Sequence, residues 1–221
     1  MNNKNIAILF AGRVKAYKPG SYLSYKKFIE QPLLDKGYTP HVFLSHNNRN
    51  TDVDLEDFKN SYNVKGFENT RFDDINTYCH IPIQETTKPQ YAYPMFFHIY
   101  RAFLLLEKYS IENTINFEAV LYMRADEEFL EPLELNIDTL ADNTIYIPSG
   151  NDYRGGVNDQ FAYGKTEAMK KYLVFPNILQ LWEKYEILFH PETYVSYNLI
   201  YQTLNCVRFP LKYLLQNARH H

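Results

Sequence analysis

An apolar run, Val120-Leu121-Tyr122-Met123, passes without a break into Arg124-Ala125-Asp126-Glu127-Glu128. Such a run reads as a buried strand, and three carboxylates follow it within three residues, preceded by an arginine. At the carboxyl end of a parallel strand these side chains project into the crevice where α/β folds bind ligands. Carboxylate oxygens are hard ligands. One chemistry they can supply is to hold Mg²⁺ or Mn²⁺, ions that commonly bridge to a phosphate. The other reading of the same residues is a solvated acidic turn. Four further places carry reactive groups: Phe10-Ala11-Gly12-Arg13, Arg101, the loop from Tyr153 and Arg154 to Gly164 with Asp159 inside it, and His190-Pro191-Glu192. Each has a structural alternative. Gly12 would simply end a strand, Arg101 would lie along an apolar stripe, and Asp159 would cap a helix or turn. Pro191 and Glu192 suit the first turn of a helix.

Those residues need elements to position them. Ile6 to Phe10 predicts a buried strand that turns at Ala11-Gly12-Arg13. Tyr22 to Leu34 carries Tyr22, Tyr25, Phe28, Ile29 and Leu33 at helical spacing, and Val42-Phe43-Leu44 reads as a second buried strand. Strand, helix and strand in that order make the βαβ unit of a parallel sheet. The polar stretch 47–76 predicts loops and a short helix over Leu55 to Tyr62. Pro94 to Tyr109 is the clearest helix, with Pro94 in its first turn and an apolar stripe of Phe96, Ile99, Tyr100, Phe103 and Leu106. Thr144 to Pro148 is another strand, and Phe161 to Gly164 a short strand or turn. Helices are expected over Thr166 to Leu173, Ile178 to Leu188 and Tyr194 to Leu204, with Trp182 in the core. No internal repeat or linker divides the chain, so residues 1–219 are expected to form one domain, and His220-His221 reads as the remnant of a purification tag.

Composition narrows the function. With 23 basic and 26 acidic residues, a formal net charge of −3 gives no global reason to expect nucleic-acid binding. A hydrophobic fraction of 45% over 221 residues supports a packed core rather than a disordered chain. Cys79 and Cys206 form neither a disulfide framework nor a CxxC pair. No apolar run approaches the roughly 18 to 20 residues that span a bilayer. The short apolar start, followed at once by Arg13 and Lys15, reads as a strand rather than a signal peptide, so a cytoplasmic location is expected. His41, His46, His80 and His98 show no metal-ligand spacing and no paired nucleophile.

The stretch from Ala119 to Asp126 resembles the strand and D-x-D motif of GT-A glycosyltransferases, a family that small glycosyltransferases of large algal viruses and of bacterial polysaccharide synthesis exemplify. The resemblance implies a GT-A-like α/β fold with a mostly parallel central sheet flanked by helices. In that family the second aspartate binds the divalent cation on the diphosphate of a nucleotide sugar, which places Asp126 as the metal ligand. The first aspartate falls on Arg124, a departure; an arginine there can meet diphosphate directly as a bidentate donor. Glu128 offers the alternative register D-x-E and a second carboxylate. The resemblance further places the nucleotide over Phe10, Ala11 and Gly12, with Arg13 and Arg101 toward the phosphates. It places the sugar and acceptor pocket at Arg154, Gly155, Gly156, Asn158 and Asp159, within the segment that resembles G…D-x-F-x-x-G.

The resemblance implies transfer of a hexose or deoxyhexose from a nucleotide diphosphate sugar, UDP-linked by preference, to a glycan hydroxyl. Mn²⁺ or Mg²⁺ is the expected cofactor and Asp159 the acceptor-side group. Two rivals remain. A non-catalytic nucleotide-sugar or carbohydrate-binding domain would keep the fold and lose the reaction. A nucleotidyltransferase would need a longer Gly-rich basic loop than Gly12-Arg13-Val14-Lys15 provides. Inverting and retaining outcomes both stay open.

Overall fold

The computed structural model describes residues 4–14, 20–48, 55–71, 89–174, 180–181, 184 and 190–216. The expected helix over 178–188, with Trp182, lies largely outside the described residues, as do Cys79 and His80.

β1 (Lys4–Gly12) is the hinge of the architecture, because both faces and both edges of it are covered. Ile6, Ile8 and Phe10 enter one core, Ala7 and Leu9 the other, and none is more than 2% exposed. β2 (Tyr38–Asn47) and β4 (Phe117–Met123) flank β1, both in parallel, and β3 (Val64–Thr70) pairs in parallel with β2. Beyond β4 lie β7 (Ala162–Lys165), β6 (Thr144–Pro148) and β8 (Asn205–Phe209). β7 runs antiparallel to both neighbours, and β6 is parallel to β8. The seven-stranded order is therefore β3-β2-β1-β4-β7-β6-β8, while β5 (Glu127–Phe129) and β9 (Tyr213–Leu215) form a separate antiparallel pair. This is an α/β fold with a mostly parallel sheet flanked by helices.

The first crossover runs through α1 (Gly20–Tyr25), a π turn (Lys26–Glu30) and α2 (Gln31–Asp35). The π turn has an identifiable cause. Pro32 has no N–H to return to the carbonyl of Phe28, four residues back, and that carbonyl instead accepts the Leu133 N–H at 2.8 Å. α3 (Leu55–Ser61) precedes β3, and α4 (Pro89–Asn113) carries the chain back across the sheet to β4. α4 packs against β1 and β2 through Tyr93, Phe96, Ile99, Phe103 and Leu106. It begins five residues before Pro94, which sits inside the helix rather than in its first turn. Burial of Ala92 and Tyr93 in the core outweighs the hydrogen bond that the proline removes. α5 (Thr166–Tyr172) and α6 (Pro191–Tyr201) complete the same face.

The chain leaves β1 toward β2 and β3, then returns to the other side of β1 at β4. Strand order therefore reverses between β1 and β4, and in open α/β sheets such a switch point, outside the carboxyl ends of the strands, is where ligands bind.

Candidate active site

Two strand ends meet at that switch point. Phe10 pairs with Met123, so the next residues of each strand, Ala11-Gly12-Arg13 and Arg124-Ala125-Asp126, stand side by side. Gly12 has φ +90°, a backbone that L side chains rarely adopt, and this lets β1 end in a turn where Val14 N–H reaches His46 Nδ1 at 3.4 Å. The Phe10 ring is 2% exposed and meets Tyr25, Phe58 and Tyr62 edge-on, so Phe10 offers a ligand its backbone only. Ala11 likewise packs against the core.

On the β4 side the guanidinium of Arg124 holds the carboxylate of Asp126 through two parallel bonds, Nε to Oδ1 and Nη2 to Oδ2, each 2.9 Å. The arginine side chain is 34% exposed and the aspartate side chain 7%. Burial disfavours the charged guanidinium, but the bonds and charge of Asp126 outweigh it and raise its pKa above the ordinary arginine value. Backbone bonds fix the aspartate as well, since its carbonyl accepts Gln216 N–H at 3.0 Å.

The next two residues take opposite sides of β5. Glu128 turns to β9, where Oε2 accepts Gln216 Nε2 at 2.5 Å, and it lies under Gly20. Glu127 turns inward, is 1% exposed, and neither of its carboxylate oxygens has a hydrogen-bond partner among the described residues. Burial pushes its pKa well above the usual carboxylate range, against the pull of Arg124. The sequence singles out Glu128, through the register D-x-E, and assigns Glu127 no role of its own. The pairing of β5 with β9 is what separates them.

A divalent cation at this strand end would need Asp126 and Glu128 as ligands. Both Asp126 oxygens already engage a cation, Glu128 is bonded elsewhere, and among the described residues no group of three His, Cys, Asp or Glu side chains is placed to hold a metal. This donor set does not fit a resident Mn²⁺ or Mg²⁺.

Asp159 comes from the loop between β6 and β7 and lies within the electrostatic reach of Arg124. It is 7% exposed and lines a cavity with a water-accessible volume of about 10 Å³, room for about one water, together with Phe96, Ile99, Tyr122, Tyr172, Val195 and Asn198. Burial raises its pKa to about 6, helped by the Glu192 carboxyl and opposed by Arg124. Glu192 is itself raised by burial. His190 Nδ1 lies 2.7 Å from Glu192 Oε2, but the two are misaligned and make no hydrogen bond. His190-Pro191-Glu192 is also the start of α6, with His190 as the N-cap and Pro191 just inside.

Around Asp159 the loop residues divide. Asn158 is fully buried: its Nδ2 donates to Gly150 O and Tyr213 Oη, and its Oδ1 accepts Gln160 N–H. Its side chain shapes the loop rather than facing a ligand. Gly156 answers a packing demand, because a Cβ there would lie 2.1 Å from the Glu192 carbonyl carbon. Arg154 and Gly155 form an exposed turn at φ +49° and +73°. Tyr213, which sequence reasoning passed over, ties the loop to β9 through Asn158 and Gln160.

Arg101 is engaged on the β2 side of β1, where Ser45 pairs in register with Ala11. Its Nε and Nη2 grip Glu68 at 2.6–3.0 Å, and Glu68 also accepts the Ser45 hydroxyl at 2.6 Å. Burial works against the Glu68 charge, but these bonds outweigh it and lower its pKa. Since Ser45 donates to Glu68, its oxygen accepts from His98 Nδ1 at 2.8 Å, and burial pushes that imidazole down to about 4.

A cavity of about 770 Å³ lies at the opposite end of β4, by Phe117 and Asn116. Among its charged groups, Lys165 pairs with Asp142 at 2.7 Å and Lys170 with Glu107 at 2.6 Å, and Lys171 donates to Asn143 Oδ1 at 2.8 Å. It offers no convergent reactive groups. Residues 15–19 and 72–88, which follow β1 and precede α4, lie outside the described residues.

No protein-family model matches the chain, and no curated protein does either. Among solved structures it is similar to a protein of Desulfovibrio desulfuricans G20 assigned as a nucleotide-diphospho-sugar transferase, at 12% identity and a TM-score of 0.48, over 94% of this chain and 80% of that one. It is also similar to mouse xyloside xylosyltransferase 1, at 10% identity and 0.48, over 94% and 85%. A glycosyltransferase involved in the glycosylation of the major capsid of PBCV-1 matches at 12% and 0.44, over 93% and 81%.

Proposed function

We propose that this chain is a glycosyltransferase that moves a hexose or deoxyhexose from a nucleotide diphosphate sugar to a glycan hydroxyl. One observation carries the reading: the strand end where strand order reverses, between β1 and β4, bears a fixed guanidinium on Arg124, with a buried carboxyl on Asp159 within its field. A departing nucleoside diphosphate develops negative charge, and a fixed cation beside it lowers the barrier electrostatically. In the transfer the bond from the anomeric carbon to the β-phosphate oxygen breaks, and its electron pair stays on the diphosphate. The acceptor oxygen bonds to the anomeric carbon and gives its proton to Asp159. A carboxyl with a pKa of about 6 is ionised at neutral pH and still basic enough to take that proton. Attack on the face opposite the diphosphate inverts the anomeric centre, and the product's configuration tests this arrangement. Arg13, next to the Gly12 turn, and the exposed Arg154 turn are the proposed contacts to donor phosphate and to acceptor. No step passes through a metal ion.

The test is a panel of UDP-, GDP- and dTDP-sugars, read by thermal shift, by nucleoside diphosphate release and by the anomeric configuration of the product. Stabilisation by one donor, UDP-linked by preference, with release of its nucleoside diphosphate, is expected. Binding without release would leave a non-catalytic binding domain. A folded protein that binds no member of the panel would end the reading.

A further inference from the structure

The side chain that meets solvent at the end of β4 carries the opposite sign to the one expected there. Asp126 is 5% exposed and Glu127 1%, whereas the Arg124 side chain is one-third exposed. Of these three side chains only the arginine's is open to an arriving ligand, while the carboxylates of Asp126 and Glu127 are buried. The bidentate grip of Asp126 fixes the guanidinium plane and uses only Nε and Nη2, so Nη1 keeps two N–H donors outside the pair. A planar, permanently charged fork held in place suits a phosphate oxygen better than a mobile ammonium would. Asp126 already gives both carboxylate oxygens to Arg124, so a divalent ion bound there would sit against the guanidinium, and the two cations would repel. Glu128, the other oxygen donor, is held by Gln216.

Building on the glycosyltransferase reading, we infer that Arg124 replaces the divalent cation as the group that neutralises the leaving diphosphate. Asp126 is then a positioning residue for Arg124, not a metal ligand, and both donor binding and transfer proceed in the absence of divalent metal.

Calorimetry with UDP and nucleoside diphosphate release, each in EDTA and again with Mn²⁺, test this together with Mn²⁺ electron paramagnetic resonance. Wild-type protein is expected to bind UDP and turn over donor equally in both conditions. The Mn²⁺ signal should match that of UDP and Mn²⁺ without protein. Arg124→Ala should lower turnover about a hundredfold, as loss of one fixed donor does elsewhere, and Mn²⁺ should not restore it. Arg124→Lys keeps the charge and loses the fork, so partial activity is expected. Asp126→Glu, which can still hold the guanidinium, should retain more activity than Asp126→Ala. UDP binding or turnover that requires Mn²⁺, or Mn²⁺ rescue of Arg124→Ala, overturns the proposal while leaving the transferase reading intact. If the Arg124 variants fail to fold, the EDTA comparison and the Mn²⁺ signal on wild-type protein decide alone. A folded wild type that binds no nucleotide in either condition removes the transferase reading and this inference with it.

Discussion

Asp159 combines a deep position with a pKa of about 6, and burial is the main cause. Turnover at limiting donor should therefore fall on the acid side with an apparent pKa near that value. Asp159→Asn, close in shape and unable to take a proton, should lower turnover by about 10²- to 10⁴-fold and abolish that acid limb. A folded Asp159→Asn variant with wild-type turnover would remove the base assignment. The carboxylates were visible in the sequence as a cluster after an apolar run, and so was Asp159 in its loop. Their division of labour was not. Asp126 reads as a metal ligand from its spacing, but which partner it takes depends on a neighbour two residues away folding back on it. Arg101 shows the same limit, because Glu68, its partner, lies on β3, a strand that the polar stretch 47–76 concealed.

Strands with two buried faces were legible because an unbroken apolar run has few other places to go, which is why β1, β2 and β4 were found and only their ends were missed. β3 has no buried residue, and β8 is mostly exposed at the sheet edge, so neither shows a pattern strong enough to read. β5 and β9 are three residues each and exist by pairing with one another. The loop that presents Asp159 is anchored where Gly156 touches the start of α6. A Cβ there would collide with the backbone of Glu192 and Thr193, which cannot swing aside as a side chain can. Gly156→Ala should cost about 2–3 kcal/mol in urea unfolding and disturb the Asp159 and Glu192 pair. Gly155→Ala meets nothing within 4 Å but has φ +73°, so it should cost only about 1–2 kcal/mol and leave turnover near wild type. Equal effects of the two substitutions on turnover would mean that the contact with α6 does not hold the loop.

Across the whole molecule, two buried groups on different elements act on stability with opposite signs. Burial lowers His98, on α4, to about 4, so the unfolded chain takes up its proton first. Its contribution is present above about pH 6.5 and lost as pH falls toward 4, about 3 kcal/mol at most for a shift of this size. Asp159 is raised from 3.8 to about 6, so its contribution is present below pH 3.8 and lost as pH rises through 6, again about 3 kcal/mol at most. Neither group is among the charges that act on the other, so the two effects should add. Between pH 4 and 6.5 they nearly cancel. Urea unfolding of wild-type protein should therefore show only a shallow slope from this pair. Asp159→Asn exposes the His98 limb, and stability should climb with pH across that window, making the variant more stable than wild type at pH 7. His98→Gln, which can still donate to Ser45, exposes the Asp159 limb, and stability should decline over the same range. Parallel profiles for wild type and both variants would show that these groups titrate alike in the folded and unfolded chain. A gain at pH 7 on losing Asp159, paired with lost turnover, would instead mark a carboxyl that the fold keeps at a cost to its own stability for the sake of the reaction.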